Sequence, residues 1–119
     1  MNNIAETRVY KILNAEDWAV AQRLGYTQTA LDRGDGYVHL SAREQVAETL
    51  SLHYKGQTGV HLLEYVVEHF GGEVRWEESR GGALFPHLYS TLRIDAAKRH
   101  WTLDPGRDGI AQLPVDIDP

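Results

Sequence analysis

Two short segments of this 119-residue chain combine residue types that could carry chemistry. The first, YVHLS, runs from Tyr37 to Ser41. On a strand, its histidine and its serine lie two positions apart and therefore on one face. The second, WEESRGGALFPHLY, runs from Trp76 to Tyr89 and contains carboxylates, an arginine, two adjacent glycines and a second histidine. An arginine can clamp an anion, and glycines let the backbone approach a ligand closely.

The first segment is predicted to be a short strand that leads directly into a helix. Ser41 followed by Glu44 is typical of a capping box, which starts a helix at the next residue. The free N–H groups at a helix start suit a phosphate, a carboxylate or a ribose oxygen. His39 would lie beside such a ligand. The alternative is that Ser41 is only a cap and that His39 is a structural histidine.

The second segment offers several polar side chains around a loop. Arg80 could bind an anion through its planar guanidinium. His87 and Tyr89 share a face if the segment is extended. Glu77 and Glu78 are adjacent, so on a strand they face opposite ways and do not form a catalytic carboxylate pair by spacing alone. The alternative interpretation is a glycine-rich hairpin closed by an aromatic plug.

Composition and motifs argue against several other kinds of site. The chain has no cysteine, so it has no disulfide and no thiolate chemistry. A net charge of −5 with scattered basic residues argues against an extended nucleic-acid surface. There is no G-x-S-x-G, G-x-G-x-x-G or P-loop sequence. No metal site is expected, because four histidines lack metal-ligand spacing: His53, His61, His69 and His100.

These segments must be positioned by elements in the order β-α-β-α-β-β-β, which predicts an α+β fold with a split, largely antiparallel sheet. Residues 26–35 are predicted to be a polar connection, and Pro86 is predicted to confine its segment to an edge or a loop. The predicted strands are Thr7–Leu13, Tyr37–Leu40, Gly59–Val67, Val74–Glu77, Phe85–Tyr89 and Ala96–Leu103. The predicted helices are Ala15–Leu24 and Ala42–Tyr54, and the predicted core contains Trp18, Val46, Leu50, Leu62 and Leu63.

The length is typical of one domain, which we place at residues 7–103, followed by a loosely attached tail at residues 104–119. No apolar run approaches the ~18 residues of a membrane helix, and the start, MNNIAETR, has no apolar signal core. We therefore expect a cytoplasmic protein with no membrane partner. The sequence does not indicate an oligomeric state.

Several motifs together resemble one known family. The resemblance is carried by VYKI (Val9–Ile12), DGYVHLS (Asp35–Ser41), WEESRGG (Trp76–Gly82) and FPHLY (Phe85–Tyr89), together with Trp18 and Gln45. From about Arg8 to Trp101, the chain is similar to the bacterial domain-of-unknown-function 952 family. The resemblance implies an ADP-ribosyltransferase-like fold: a split, largely antiparallel sheet with two main helices and a cleft that holds NAD in active relatives. YVHLS is also similar to a motif of RNA 2′-phosphotransferases, which share that fold.

The resemblance also implies a site. Lys11 stands where many such enzymes have a histidine, and a lysine can bind a phosphate or a ribose oxygen. The expected catalytic residues are His39, His87 and Glu77. The expected ligand-binding residues are Lys11, Ser41, Trp76, Ser79, Arg80 and Tyr89.

The function expected from this resemblance is the binding of NAD, or of a related phosphorylated nucleotide, in the cleft. Transfer of ADP-ribose, or of a phosphate to NAD as acceptor, would follow if the site is active. Fold resemblance alone does not establish activity. The alternatives are a catalytically inactive nucleotide-sensing module and a protein-interaction module that docks a partner through FPHLY.

Overall fold

The computed structural model describes residues 6–118, with the exception of the side chain of Arg80. Within this range, no helix is long and apolar enough to cross a membrane. The strands are β1 (Arg8–Leu13), β2 (Val38–His39), β3 (Ser41–Ala42), β4 (Val60–Val66), β5 (Val74–Glu78), β6 (Leu84–Leu88) and β7 (Arg99–Leu103). The α-helices are α1 (Ala15–Leu24), α2 (Ala30–Asp35) and α3 (Val46–His53).

The strands form two antiparallel sheets. The main sheet has the order β3-β1-β4-β7, and the small sheet has the order β2-β6-β5. The predicted α+β class with antiparallel sheets is therefore confirmed. The sheets are joined at Leu40, the one residue between β2 and β3, whose N–H donates to the carbonyl of Pro86.

Two apolar clusters cover opposite faces of the main sheet, because successive side chains of β1 point to opposite faces. Val9 and Leu13 lie in the first apolar cluster, whereas Tyr10 and Ile12 lie in the second. All seven residues of β4 are buried, as is typical of a central strand, and His61 and Glu64 are the two polar ones among them. The predicted core is confirmed for four residues: Val46, Leu50, Leu62 and Leu63. Trp18 is only half-buried at the edge of the first cluster.

Helix α1 agrees with its predicted bounds. Asn14 caps it by accepting a hydrogen bond from the N–H of Asp17 at 2.7 Å. At its other end the N–H of Gly25 donates to the carbonyl of Ala21, and Gly25 has φ +86°, a conformation that glycine adopts without steric cost. These local signals lie wholly within the segment, so the sequence determines the element.

Two predictions about the first motif and its approach were wrong. Residues 30–35 form a helix rather than a connection, with Thr29 as the cap that accepts from the N–H of Asp32. Ser41 does not cap a helix, because it is buried in β3 opposite Tyr10. A 3₁₀ turn over residues 43–45 precedes α3, and the side chain of Gln45 accepts from the N–H of Ala42. The predicted helix therefore begins several residues later, at Val46.

The prediction that Pro86 confines its segment to an edge or a loop was also wrong, because β6 is the middle strand of the small sheet. Proline lacks a backbone N–H, so it is tolerated only where no neighbouring strand needs that donor. The carbonyl of Pro86 faces Leu40, which lies just beyond the last residue of β2. The side of Pro86 that lacks an N–H therefore faces a position beyond the end of β2, where no strand residue needs that donor.

The last segment contacts the domain more closely than its polar sequence indicates. Ala111 and Ile117 are buried in the second apolar cluster. The side chain of Asp116 accepts a hydrogen bond from the indole of Trp101, and the side chain of Asp118 accepts hydrogen bonds from the guanidinium of Arg43. The predicted division of the chain at residue 103 stays a prediction.

Leu50 and Leu52 give a matched test of the core, because both lie on α3 and differ in burial. Leu50 is fully buried, whereas Leu52 is 57% exposed. We expect Leu50→Ala to lower the free energy of unfolding by about 2–5 kcal/mol, since it leaves a cavity. Leu52→Ala should change it by less than about 0.5 kcal/mol. Denaturant unfolding measures both, and equal losses would contradict this packing.

An aromatic cluster on the α1 side of the main sheet predicts a dependence of stability on pH. The buried ring of His61 stacks on Trp18 with centroids 3.7 Å apart, and its Nε2 lies 3.0 Å from Nδ1 of His100. Burial, and then His100, lowers the pKa of His61 to about 4. A folded-state pKa below that of the unfolded chain gives stability that is present above the unfolded pKa and is lost as the pH falls from the unfolded pKa to the folded pKa.

We therefore expect the wild type to lose about 2 kcal/mol more than His61→Gln between pH 7 and pH 5, measured by denaturant unfolding. Trp18 fluorescence gives a local readout of the same protonation. Equal losses in the two proteins would show that His61 is not buried as a neutral ring.

Candidate functional site

A cleft of about 840 Å³ opens where the two sheets meet. Its floor is formed by β1, β2, β3 and β6, and its walls are formed by the start of α1, by α2 and by α3. His39 and His87 both line it, and they are opposite each other in the β2–β6 pairing. Directly opposite residues of an antiparallel pair share a face. This register brings the two rings to a centroid separation of 5.5 Å.

His39 is held by a buried ion pair. The ammonium of Lys11 donates to Oδ2 of Asp32 at 2.7 Å and to the carbonyl of His39 at 3.0 Å. The other carboxylate oxygen, Oδ1 of Asp32, accepts from the backbone N–H of His39 and lies 2.6 Å from its Nδ1. Burial alone would raise the pKa of Asp32, but the hydrogen bonds from His39 and Lys11 outweigh burial and lower it.

The other ring nitrogen of His39 faces a second carboxylate at the cleft rim. Nε2 lies 2.9 Å from Oδ2 of Asp35, the last residue of α2. Tyr37 covers both histidines, with its ring centroid 4.7 Å from His39 and 4.1 Å from His87, on which it stacks. The rings of YVHLS and FPHLY therefore form one aromatic cluster.

His87 is almost wholly buried and is oriented by Glu77. Nδ1 of His87 lies 2.8 Å from Oε1 of Glu77, and the hydroxyl of Tyr89 donates to the same oxygen at 2.7 Å. The hydrogen bond from Tyr89, and then that from His87, lowers the pKa of Glu77. No residue that the structure describes hydrogen-bonds Nε2 of His87, and His87 lines the cleft.

The charge of the described part of the cleft is predominantly acidic. Lys11 is its one described lysine or arginine, and the ammonium is already bound to Asp32. Burial lowers the pKa of Lys11 in spite of the attraction of Asp32. Burial raises the pKa of Asp17, with Glu16 and Asp32 adding to the effect and Lys11 opposing it. Four carboxylates line the cleft: Glu16, Asp17, Asp32 and Asp35.

The structure brings most of the predicted site residues together. The cleft is lined by Lys11, His39, Ser41, Ser79 and His87. Glu77 contacts His87, and Tyr89 donates a hydrogen bond to Glu77. Trp76 is the exception. It follows Arg75 and precedes Glu77 on β5, so it projects from the opposite face of the small sheet and lines a separate groove with Arg8 and Arg43. The predicted role of Arg80 falls on a side chain outside the described part of the chain.

Comparison with known proteins gives the family. The family described as "Protein of unknown function (DUF952)" matches residues 12–100, which is three quarters of the chain. The chain belongs to this DUF952 family. None of the curated proteins compared with it matches.

Solved structures of one relative agree with the fold of this DUF952 chain. The crystal structure of protein CC0527 from Caulobacter crescentus is 42% identical, with a TM-score of 0.83, over 90% of this chain and 95% of that one. Its solution NMR structure gives a TM-score of 0.78 over 89% and 92% of the two chains.

Sequence reasoning missed Asp32, Asp35 and Tyr37 as members of the DUF952 site. The spacing of Thr29 and Asp32 is an S/T-x-x-D/E capping signal, which could have predicted α2 and placed both aspartates on it. No local signal could have shown that Asp32 meets Lys11, since 21 positions separate them. The contact arises only when α2 folds over the end of β1.

The contact of Tyr89 with Glu77 gives a test of the site geometry. Tyr89→Phe removes the largest of the interactions that lower the pKa of Glu77, so we expect that pKa to rise. Carboxyl ¹³C NMR titration measures it, and Tyr26→Phe is the control because Tyr26 does not line the cleft. An unchanged Glu77 titration in Tyr89→Phe would contradict the described hydrogen bond.

Proposed function

We propose that the cleft binds a nucleotide-like small molecule, with NAD as the first candidate, and that His39 and His87 carry acid–base chemistry on it. The observation that carries this proposal is the pair of imidazoles 5.5 Å apart in one cleft, each oriented by a carboxylate. A histidine whose Nδ1 is held by a carboxylate has a fixed ring orientation relative to a reacting group. Two such groups within one ligand's length suit a transfer reaction in which one group hydrogen-bonds the substrate and the other takes the proton of the acceptor.

The finer assignment is an ADP-ribosyltransferase-like fold and activity. Its support is the resemblance of YVHLS and the other motifs, together with a split antiparallel sheet that has a cleft at the split. NAD would supply ADP-ribose as the transferred group. A transferase needs reacting groups that are held before the substrate arrives. Asp32 and Glu77 provide that preorganisation for the two histidines.

The described residues fit one part of NAD better than the other. Carboxylates of Asp17 and Asp35 can accept hydrogen bonds from ribose hydroxyls and attract a nicotinamide cation. The diphosphate is fitted less well, because the ammonium of Lys11 already binds Asp32 and the carbonyl of His39. Ligands with a nicotinamide ribose should therefore bind better than ligands that offer only phosphates.

Among the alternatives, a nucleotide-sensing module needs the same cleft and differs only in lacking turnover. Docking of a protein through FPHLY has less support. Phe85, Pro86, His87 and Leu88 are buried in the middle strand of the small sheet, which leaves Tyr89 as the exposed residue of the motif.

A thermal-shift experiment on the full chain tests the proposal. We expect NAD and nicotinamide riboside to raise Tm and pyrophosphate to leave it unchanged; a ligand at 100 times its Kd stabilises by about 2.7 kcal/mol. His39→Ala and His87→Gln should weaken binding at least tenfold, since each removes an imidazole nitrogen from the cleft. His69→Ala is the matched control, because His69 is exposed and lies outside the cleft.

Two results would contradict the proposal. One is the absence of any shift with NAD, nicotinamide riboside, ADP-ribose and AMP. The other is equal ligand binding by the wild type and both cleft variants. Release of nicotinamide from NAD, measured with the same proteins, then separates a transferase from a sensing module.

A further inference from the structure

The protonation of His39 follows from the two carboxylates that face it. Nδ1 lies 2.6 Å from Oδ1 of Asp32, and Nε2 lies 2.9 Å from Oδ2 of Asp35. An ionised carboxylate only accepts hydrogen bonds, whereas a neutral imidazole has one N–H and one acceptor nitrogen. Both contacts can be hydrogen bonds only if both ring nitrogens carry a proton. The geometry is therefore that of an imidazolium cation between two anions.

The surroundings of His39 support this state on every side. Asp32 is kept ionised by Lys11, which binds its second oxygen on the far side from the imidazole. Tyr37 and His87 are the neighbouring rings, at 4.7 and 5.5 Å between centroids, and neither is a fixed cation. Among the described contacts, the ammonium of Lys11 binds Oδ2 of Asp32 and the carbonyl of His39, whereas the ring of His39 faces Oδ1 of the same carboxylate.

His87 has a different environment, although it shares the cleft. Its Nδ1 faces one carboxylate, Oε1 of Glu77, and within the described residues Nε2 has no hydrogen-bond partner. One N–H is sufficient for this arrangement, and no described contact requires a proton on Nε2. The two histidines therefore differ in the number of carboxylates that face them, which is two for His39 and one for His87.

We propose that Asp32 and Asp35 hold His39 as an imidazolium cation, with Asp32 as the positioning residue. Asp32 is buried and bound from two sides, whereas the side chain of Asp35 is 43% exposed and can be displaced. An uncharged oxygen of the ligand, such as a ribose hydroxyl or an amide carbonyl, then replaces the Asp35 carboxylate at Nε2. The Nε2–H thereby becomes a hydrogen-bond donor to the ligand, whereas the ammonium of Lys11 already binds Asp32 and the carbonyl of His39.

The catalytic consequence rests on the proposed function. In ADP-ribose transfer the attacking atom of the acceptor bonds to the ribose C1′ while the C1′–N bond breaks, and nicotinamide leaves as a neutral molecule that needs no proton. His39 donates a hydrogen bond to an oxygen of the bound ligand and keeps both of its protons. His87 takes the proton of the attacking acceptor and then releases it to solvent, which restores the resting state. Glu77 stabilises the imidazolium that forms on His87 in the same way that Asp32 stabilises His39.

The test is a long-range ¹⁵N–¹H correlation spectrum of the full chain with ¹⁵N-labelled histidines, without ligand, at pH 7. His39→Gln assigns the His39 signals. We expect both His39 nitrogens to show the shifts of protonated nitrogens, and one nitrogen of His87 to show that of an unprotonated nitrogen. A neutral His39 in the wild type would overturn the inference.

Two variants test the positioning role. Asp32→Asn should convert His39 to a neutral tautomer. Asp35→Asn, at a side chain that is 43% exposed, should lower the charged fraction of His39 without creating a buried unpaired group. Asp95→Asn is the control, because Asp95 pairs with Arg93 outside the cleft. An imidazolium that persists unchanged in both cleft variants would overturn the role of the aspartates. Since no ligand is added, failure of ligand binding overturns the proposed function without affecting this measurement.

Discussion

The candidate site depends on the buried ion pair between Lys11 and Asp32. Two charges withdrawn from water are costly unless they are paired and hydrogen-bonded, and removal of one partner leaves the other uncompensated. Here one ammonium binds a carboxylate oxygen and a backbone carbonyl, and the same carboxylate binds His39 through its main chain and its ring. One strand of the main sheet, one short helix and one strand of the small sheet are thereby held together at the cleft floor.

The split of the sheet follows from short-range constraints around this pair. β2 has only two residues, and the chain enters β3 of the main sheet after a single intervening residue, Leu40. Pro86 is accommodated opposite this junction, where a continuing strand would require its missing N–H. A cleft therefore opens at the place where the two sheets diverge, and the register of β2 on β6 sets two imidazoles side by side in it.

A second buried charge stabilises the opposite side of the main sheet. Glu64 is fully buried on β4, and its carboxylate accepts hydrogen bonds from Tyr10, Arg99 and Arg8. Arg99 also donates to the carbonyls of Asp116 and Ile117, so the same network attaches the last segment. Both buried carboxylates thus connect distant parts of the chain. Of these two carboxylates, only Asp32 lies at the cleft, so the contacts that stabilise the cleft region are the same contacts that position His39.

The sequence by itself determined the parts of this protein whose signals are local. Asn14 and Gly25 delimit α1, alternation places Val9 and Tyr10 on opposite faces of β1, and the apolar run of β4 makes it a central strand. The motifs also indicated the family and five residues that line the cleft: Lys11, His39, Ser41, Ser79 and His87. Tertiary structure alone decided the rest. Ser41 became a strand residue because Tyr10 pairs with it, Trp76 turned away from the cleft because of the pleat of β5, and Asp32 met Lys11 because α2 folds over β1. Each depends on a partner distant in sequence, and the energy of such a contact exists only after the fold has brought both partners together.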